Sequence, residues 1–355
     1  MTVQRFIIRT ARTVLFPLLA AVLAVACSKD VVAGKSESFS DIGIEFSAHS
    51  SPLETKGYIS DTEDILGSWD PSTSTFNPGT GIGLFAFYQK AKSNGYPVDF
   101  NGDFKRPDFM YNQKIDVSTT DGVSYSCSYS PKKYWPNSDN DQLSFFAYAP
   151  YDASASWEDM KIEASLDGMK VRRHYEFRAL PEEQTDYLWS DPSLNLKKAH
   201  IGETIDFSFR HICSRIGVSC RIDIDDDDAY VTVDRVVVRA LFNISGDIVY
   251  HTDTGISHWE NLERPAQPVE YVLFGSDGSH AQRVRTAAAH VGGEDNYLFP
   301  FPGVQDVDVT VTLTQHLTGG ETKTKQLTKS LTGFALNEGR ASDILLDIKS
   351  EHLFF

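Results

Sequence analysis

Apolar and polar residues alternate at every second position along most of this chain, while the rhythm of an amphipathic helix is almost absent. Ile42, Ile44 and Phe46 alternate with Asp41, Gly43 and Glu45, which predicts a half-buried strand over residues 41–47. A polar passage rich in Gly, Ser and Pro follows over residues 47–81 and reads as long loops. The runs 83–88 and 143–148 are aromatic enough to be core strands, the second stopped by Pro150. Between them, residues 110–117 and 124–130 read as strands joined at the turn Thr120-Asp121-Gly122. Further on, Ile205, Phe207 and Phe209 share a face that His211 and Cys213 continue, and then the apolar phase moves to Ile216, Val218, Cys220, Ile222 and Ile224. One extra residue exchanges the two faces of a strand, so a β-bulge is expected near Ile212. Asp225 to Asp228 read as a solvated hairpin tip, and strands follow around Val231–Val238 and Val307–Leu313. The final strand sets Ile344, Leu346 and Ile348 against Asp343, Asp347 and Lys349.

Many short strands separated by turn signals point to an all-β sandwich architecture, here two sandwiches in tandem. The expected organisation is an export signal over residues 1–26, a linker at 27–37, an N-terminal sandwich at 38–192 and a C-terminal sandwich at 193–355. Without the first 26 residues, 30 basic residues face 49 acidic ones, a surface that repels phosphate backbones and argues against nucleic-acid binding. Cys127, Cys213 and Cys220 are too few, and too awkwardly spaced, for a disulfide framework, so buried free thiols are expected.

No catalytic signature emerges: there is no G-x-S-x-G elbow, no H-E-x-x-H pair and no phosphate-binding loop, and the ten histidines are scattered. His211, within a strand, reads as a hydrogen-bonded, partly buried imidazole. The Asp225–Asp228 cluster lacks the alternating spacing that wraps a calcium ion. Glu182, Glu183 and Asp186 read as chance neighbours in an acid-rich chain rather than a glycosidase pair. The expectation is a non-enzymatic protein with no cofactor and no metal site.

The N-terminus carries an address. Arg5, Arg9 and Arg12 precede a short apolar run, and Leu23-Ala24-Val25-Ala26-Cys27 places small residues before a cysteine. This resembles the lipobox of bacterial lipoproteins, with Ala24 at a position where that motif usually has Leu. The resemblance implies acylation of Cys27 and lipid anchoring at the cell envelope.

Three further stretches carry a second resemblance: Pro107-Asp108-Phe109-Met110-Tyr111-Asn112-Gln113; Tyr129-Ser130-Pro131-Lys132-Lys133-Tyr134-Trp135-Pro136-Asn137 with Phe145 to Pro150; and Phe207-Ser208-Phe209-Arg210-His211-Ile212-Cys213-Ser214-Arg215-Ile216. Leu336-Asn337-Glu338-Gly339-Arg340 fits the same pattern. Together they resemble the fimbrillin family, the subunits of Bacteroidales fimbriae. The resemblance implies two transthyretin-like β-sandwich domains, export as a lipoprotein, and proteolysis after the first strand so that a neighbour's strand fills the groove. It implies partners as well: other fimbrial subunits, the outer membrane through the lipid, and a surface ligand on host or bacterium. On this chain the removable strand holds Ile42, Ile44 and Phe46, and the cut falls at Lys56, where the family usually has Arg. The candidate donor is the segment 343–355 with Ile344, Leu346 and Ile348, unless that strand completes its own domain. The rival reading is a surface glycan-binding lipoprotein for nutrient uptake, which needs an exposed row formed by Trp69, Trp157 and Trp259.

Overall fold

Phe85, Phe87, Phe146 and Tyr148 point to one side of their strands and Leu84, Ala86, Phe145 and Ala147 to the other, and all eight are buried. The two aromatic runs are therefore the doubly covered centre of the N-terminal half. In this computed structural model the described residues are 43–50, 54–55, 65–66, 81–90, 107–119, 125–156, 160–165, 168–177, 183–223, 226–251, 255–275, 281–293 and 296–349. Among them there is no α-helix, and the all-β expectation holds.

The runs form β4 (Ile82–Gln89) and β7 (Gln142–Ala149), paired antiparallel. Gly83 opens the first because the Tyr148 ring lies across it: a Cβ there would come within 2.1 Å of that ring. The sheet runs in the order β1 (Glu45–Ser50), β12 (Thr204–His211), β10 (Leu188–Ser190), β7, β4, β5 (Met110–Thr119), β6 (Tyr125–Ser128), with β11 (Ser193–Lys197) also on β7. One face curls onto itself and encloses a core of Phe46, Phe145, Phe207 and their neighbours. The other face takes a four-stranded sheet, β16 (Ile256–Glu263), β15 (Ser245–His251), β9 (Gly168–Glu176) and β8 (Met160–Ser165). Between these sheets lies an aromatic layer that includes Trp189, Tyr175 and Phe301. The buried Arg173 guanidinium sits 3.5 Å from the Tyr148 ring centroid and 5.0 Å from that of Tyr175, a cation spread over two π faces.

The C-terminal half is a two-layer sandwich. One layer is β19 (Ala289–His290), β13 (Arg215–Ile222), β22 (Arg340–Ile348) and β2 (Glu54–Thr55), with β3 (Ile65–Leu66) also on β22. The other is β17 (Val269–Phe274), β14 (Tyr230–Ala240), β20 (Gly303–His316) and β21 (Thr322–Leu336), with β18 (Gln282–Arg283) on β14. Val231, Val233, Val236 and Val238 face Ile216, Val218, Ile344 and Leu346 in its core. The edge strand β21 alternates exposed Thr324, Gln326, Thr328 and Ser330 with partly buried Lys325, Leu327 and Lys329 and buried Leu331.

The structure differs from the sequence reading at definite places. The phase change near Ile212 is not a bulge. β12 ends at His211 in one sheet, β13 begins at Arg215 in another, and the chain crosses between cores at residues 212–214. Thr204–His211, expected to open a second sandwich, completes the first sheet. The passage 47–81 holds the end of β1 together with β2 and β3, whose backbones pair with β22. Asp226 to Asp228 are exposed but link β13 to β14 in the opposite layer, so the turn is a sandwich corner and not a hairpin tip. Cys213 and Cys220 are buried free thiols and Cys127 is half-buried.

Arg221 Nη2 donates to Asp347 Oδ2 across the β13–β22 pair at 3.0 Å, and Lys349 Nζ donates at 3.1 Å. The Arg221 hydrogen bond holds the Asp347 carboxyl below its ordinary range. A carboxyl depressed in the native state contributes stability that is present above its unfolded pKa and is lost as pH falls through the native one. Asp347→Asn is expected to cost about 1 kcal/mol at pH 7. The cost should shrink as pH drops below the usual aspartate range, as read by urea denaturation at a series of pH values.

Candidate functional site

The first strand is an insert that closes a seam. β1 pairs in parallel with β12 from Glu45↔Thr204 to Ser50↔Phe209, and its other side lies against β6 and the loop that follows it. Gly43 bridges to Tyr134, and the Ile44 amide donates to the Lys133 carbonyl at 2.9 Å. Tyr129 Oη donates to the Ile44 carbonyl at 2.9 Å. One strand thus touches both ends of the curled sheet.

Its alternation does the filling. Ile44, Phe46 and Ala48 point into the core, while Glu45 is exposed. Phe46 has ring neighbours on three sides: Tyr129 at 5.3 Å, Phe145 at 5.7 Å and Phe207 at 5.6 Å between centroids. On the outer side, Ser47 Oγ donates to Asp206 Oδ1 at 2.7 Å. Burial raises the Tyr129 phenol above its usual range, so it remains a donor to Ile44 throughout the physiological pH range.

The 129–137 motif, one of the stretches that carry the family resemblance, is the wall of this seat. Tyr129 and Lys133 grip β1, Lys132 Nζ lies 4.8 Å from the Tyr129 ring centroid, and Trp135 is buried with His200 stacked on it. That role was missed because the contact spans 85 residues of sequence. In the 107–113 motif, Asn112 adopts a left-handed φ of 42°. Its side-chain amide donates to the carbonyls of Asp152 and Ala155, and it accepts from Tyr148 Oη.

Of the residues singled out from sequence, Ile44 and Phe46 come together here, whereas Cys27, Ile42 and Lys56 lie outside the described residues. Ile344, Leu346 and Ile348 are buried in the C-terminal core, with β22 paired to β13 along its whole length. His211 Nδ1 lies 2.7 Å from Asp186, while Glu182 is outside the described residues. Trp259 faces inward: its indole donates to the Ile212 carbonyl at 2.8 Å and its ring packs on Phe301. Trp69 and Trp157 are outside the described residues. No helix among the described residues is long and apolar enough to cross a membrane.

The geometry is that of an all-β protein whose first described strand is a core-filling insert. The chain belongs to the fimbrillin-like family, whose profile matches residues 71–350, and membership supports a fimbrial, adhesive subunit at the cell surface that assembles with other fimbrial subunits. Among solved structures, a fimbrial protein from Bacteroides vulgatus is similar at 16% identity and a TM-score of 0.47, covering 86% of this chain and 95% of its own. A protein described as a cell adhesion protein from Bacteroides uniformis is similar at 16% identity and a TM-score of 0.40, covering 78% of this chain and 89% of its own. No curated protein matches the chain.

Phe46→Ala is expected to destabilise the chain by about 3–5 kcal/mol in chemical denaturation, because it empties a site enclosed by three rings. Ser47→Ala, on the outer face of the same strand, should cost no more than about 1 kcal/mol.

Proposed function

We propose that this chain is a fimbrial subunit held at the outer membrane by an acyl group on Cys27 and made competent to assemble by loss of its first strand. The observation that carries the reading is the seating of Ile44, Phe46 and Ala48 between the two ends of one curled sheet. A strand placed there is separable in principle: it contributes side chains and one ladder, and its removal leaves a slot whose walls come from β12 and from the segment after β6. A neighbour's strand with the same alternation fits that slot by β-augmentation, with main-chain hydrogen bonds supplying affinity and alternate side chains refilling the pockets.

Cleavage at Lys56 would detach more than β1. β2 ends at Thr55 and its backbone pairs with Arg340 and Ala341 of β22, so one cut would open an edge in each half of the molecule. Because Ile344, Leu346 and Ile348 are committed to their own core, the donor role falls to the residues after them, 350–355. Uncut, the chain keeps its slot filled and stays on the membrane, as suits an anchor or terminal subunit. The envelope address rests on the Arg5, Arg9 and Arg12 cluster and the apolar run ending at Cys27.

N-terminal sequencing of the protein taken from purified surface filaments tests the reading. A terminus at Gly57 is the result expected of a polymerised subunit; filaments carrying a subunit that still contains Phe46 would overturn strand removal. Cys27→Ser should move the chain out of the outer-membrane fraction, and deletion of residues 350–355 should abolish polymerisation while leaving the monomer folded.

A further inference from the structure

The β15–β16 hairpin gathers three potential metal ligands on its outward face. In the register, Val249 faces His258 and Asp247 faces Glu260, with His251 two residues beyond Val249 toward the turn. Both histidines therefore share a face with Glu260, and they are diagonal neighbours across the strands. Their rings stack at 4.8 Å between centroids with only 9° between planes. His251 Nε2 lies 2.8 Å from Glu260 Oε1, and His258 Nε2 lies 3.1 Å from the same oxygen. The three ligand atoms all fall within 4.8 Å of one another.

We propose that His251, His258 and Glu260 form a binding site for a divalent transition metal of the zinc class. Metal–ligand bonds of about 2.0–2.1 Å at tetrahedral angles set ligand atoms about 3.3 Å apart, so small shifts of the side chains would admit the ion between them. Two imidazoles with one carboxylate suit zinc, copper, nickel or cobalt, whereas calcium and magnesium require oxygen ligands. The acidic chain, with a formal charge of −16, attracts cations generally, and the nitrogen pair supplies the selectivity.

The scaffold is rigid where it has to be. The residues alternating with the ligands on β16 are fixed from the other side: Ser257 accepts from Trp189 Nε1 at 2.9 Å and donates to Asp191 at 2.8 Å, and Trp259 is tied to the Ile212 carbonyl. Ligands carried on regular strands with a locked reverse face are held more precisely than ligands on loops. The His258 side chain is 51% exposed and that of His251 12%, so the site opens to solvent on one side and leaves a coordination position for water or an outside donor. The neighbouring His174–Asp247 pair differs: Asp247 also receives Arg172 and Asn261, so it is engaged in an ion-pair cluster and has no second imidazole. The sequence concealed this set because the ligands follow H-x6-H-x-E, a spacing that only the hairpin brings together.

The test is titration of zinc into the untagged, chelator-treated full chain by calorimetry, with wild type compared with His258→Ala, Glu260→Gln and His174→Ala. One zinc-binding event that is weakened at least about ten-fold in both His258→Ala and Glu260→Gln, and unchanged in His174→Ala, is expected. Zinc should raise the thermal midpoint of wild type but not of His258→Ala, and excess calcium should not compete. His258 is exposed, so its variant should fold, with circular dichroism as the check. Cobalt gives an independent reading, a visible d–d band present in wild type and absent from His258→Ala. Equal zinc affinity in wild type and His258→Ala, or no zinc binding by wild type, would overturn the proposal.

Discussion

The fold depends on one short crossing. Residues 207–216 string three cores together: Phe207 and Phe209 fill the curled sheet, Ile212 and Cys213 enter the aromatic layer, and Ile216 begins the C-terminal sandwich. The crossing is pinned by backbone partners rather than by a ladder. The Ile212 amide donates to the Tyr187 carbonyl at 3.0 Å, the Ser214 amide to the Pro300 carbonyl at 2.9 Å, and the Gly339 amide to the Cys213 carbonyl at 2.9 Å. Gly339 holds a left-handed φ of 64°, which lets the turn before β22 press against the crossing. A segment held inside protein by several such bonds cannot shift without breaking them together.

The first strand joins this frame from the edge, with fewer ladders than the central strands. β9 and β15 tie the middle of the chain into one sheet, Arg173 bridges two aromatic rings between layers, and β22 runs between β13 and the short strands from the N-terminal side. Against that frame, β1 has one full ladder and a few bonds to the 129–134 segment. That ladder reaches Phe207 and Phe209, so the strand is seated on the first residues of the crossing itself.

What was legible in the sequence follows from where each face goes. Runs such as 83–88 and 143–148 announced themselves because both faces are buried and almost every residue is apolar or aromatic. The strand at Phe46 was legible because only one face is buried. The phase change at Ile212 was visible too, yet local pattern cannot distinguish a bulge from a strand leaving one sheet for another, since both exchange faces. β21 was missed because an edge strand built from Thr and Lys carries little apolar signal. The roles of Tyr129 and Lys133, and the meeting of His251 with His258 and Glu260, depend on pairings that no local spacing encodes.

The lysines of β21 have a bearing on how such subunits could be arranged. Lys323, Lys325 and Lys329 stand along the outer strand of the C-terminal sandwich, in a row where an uncharged strand would offer its free backbone to any passing sheet. Like charges facing one another across two such edges repel, so side-by-side pairing of copies along β21 is discouraged. A lysine-bearing edge of this kind works against sideways contact between copies of the sandwich.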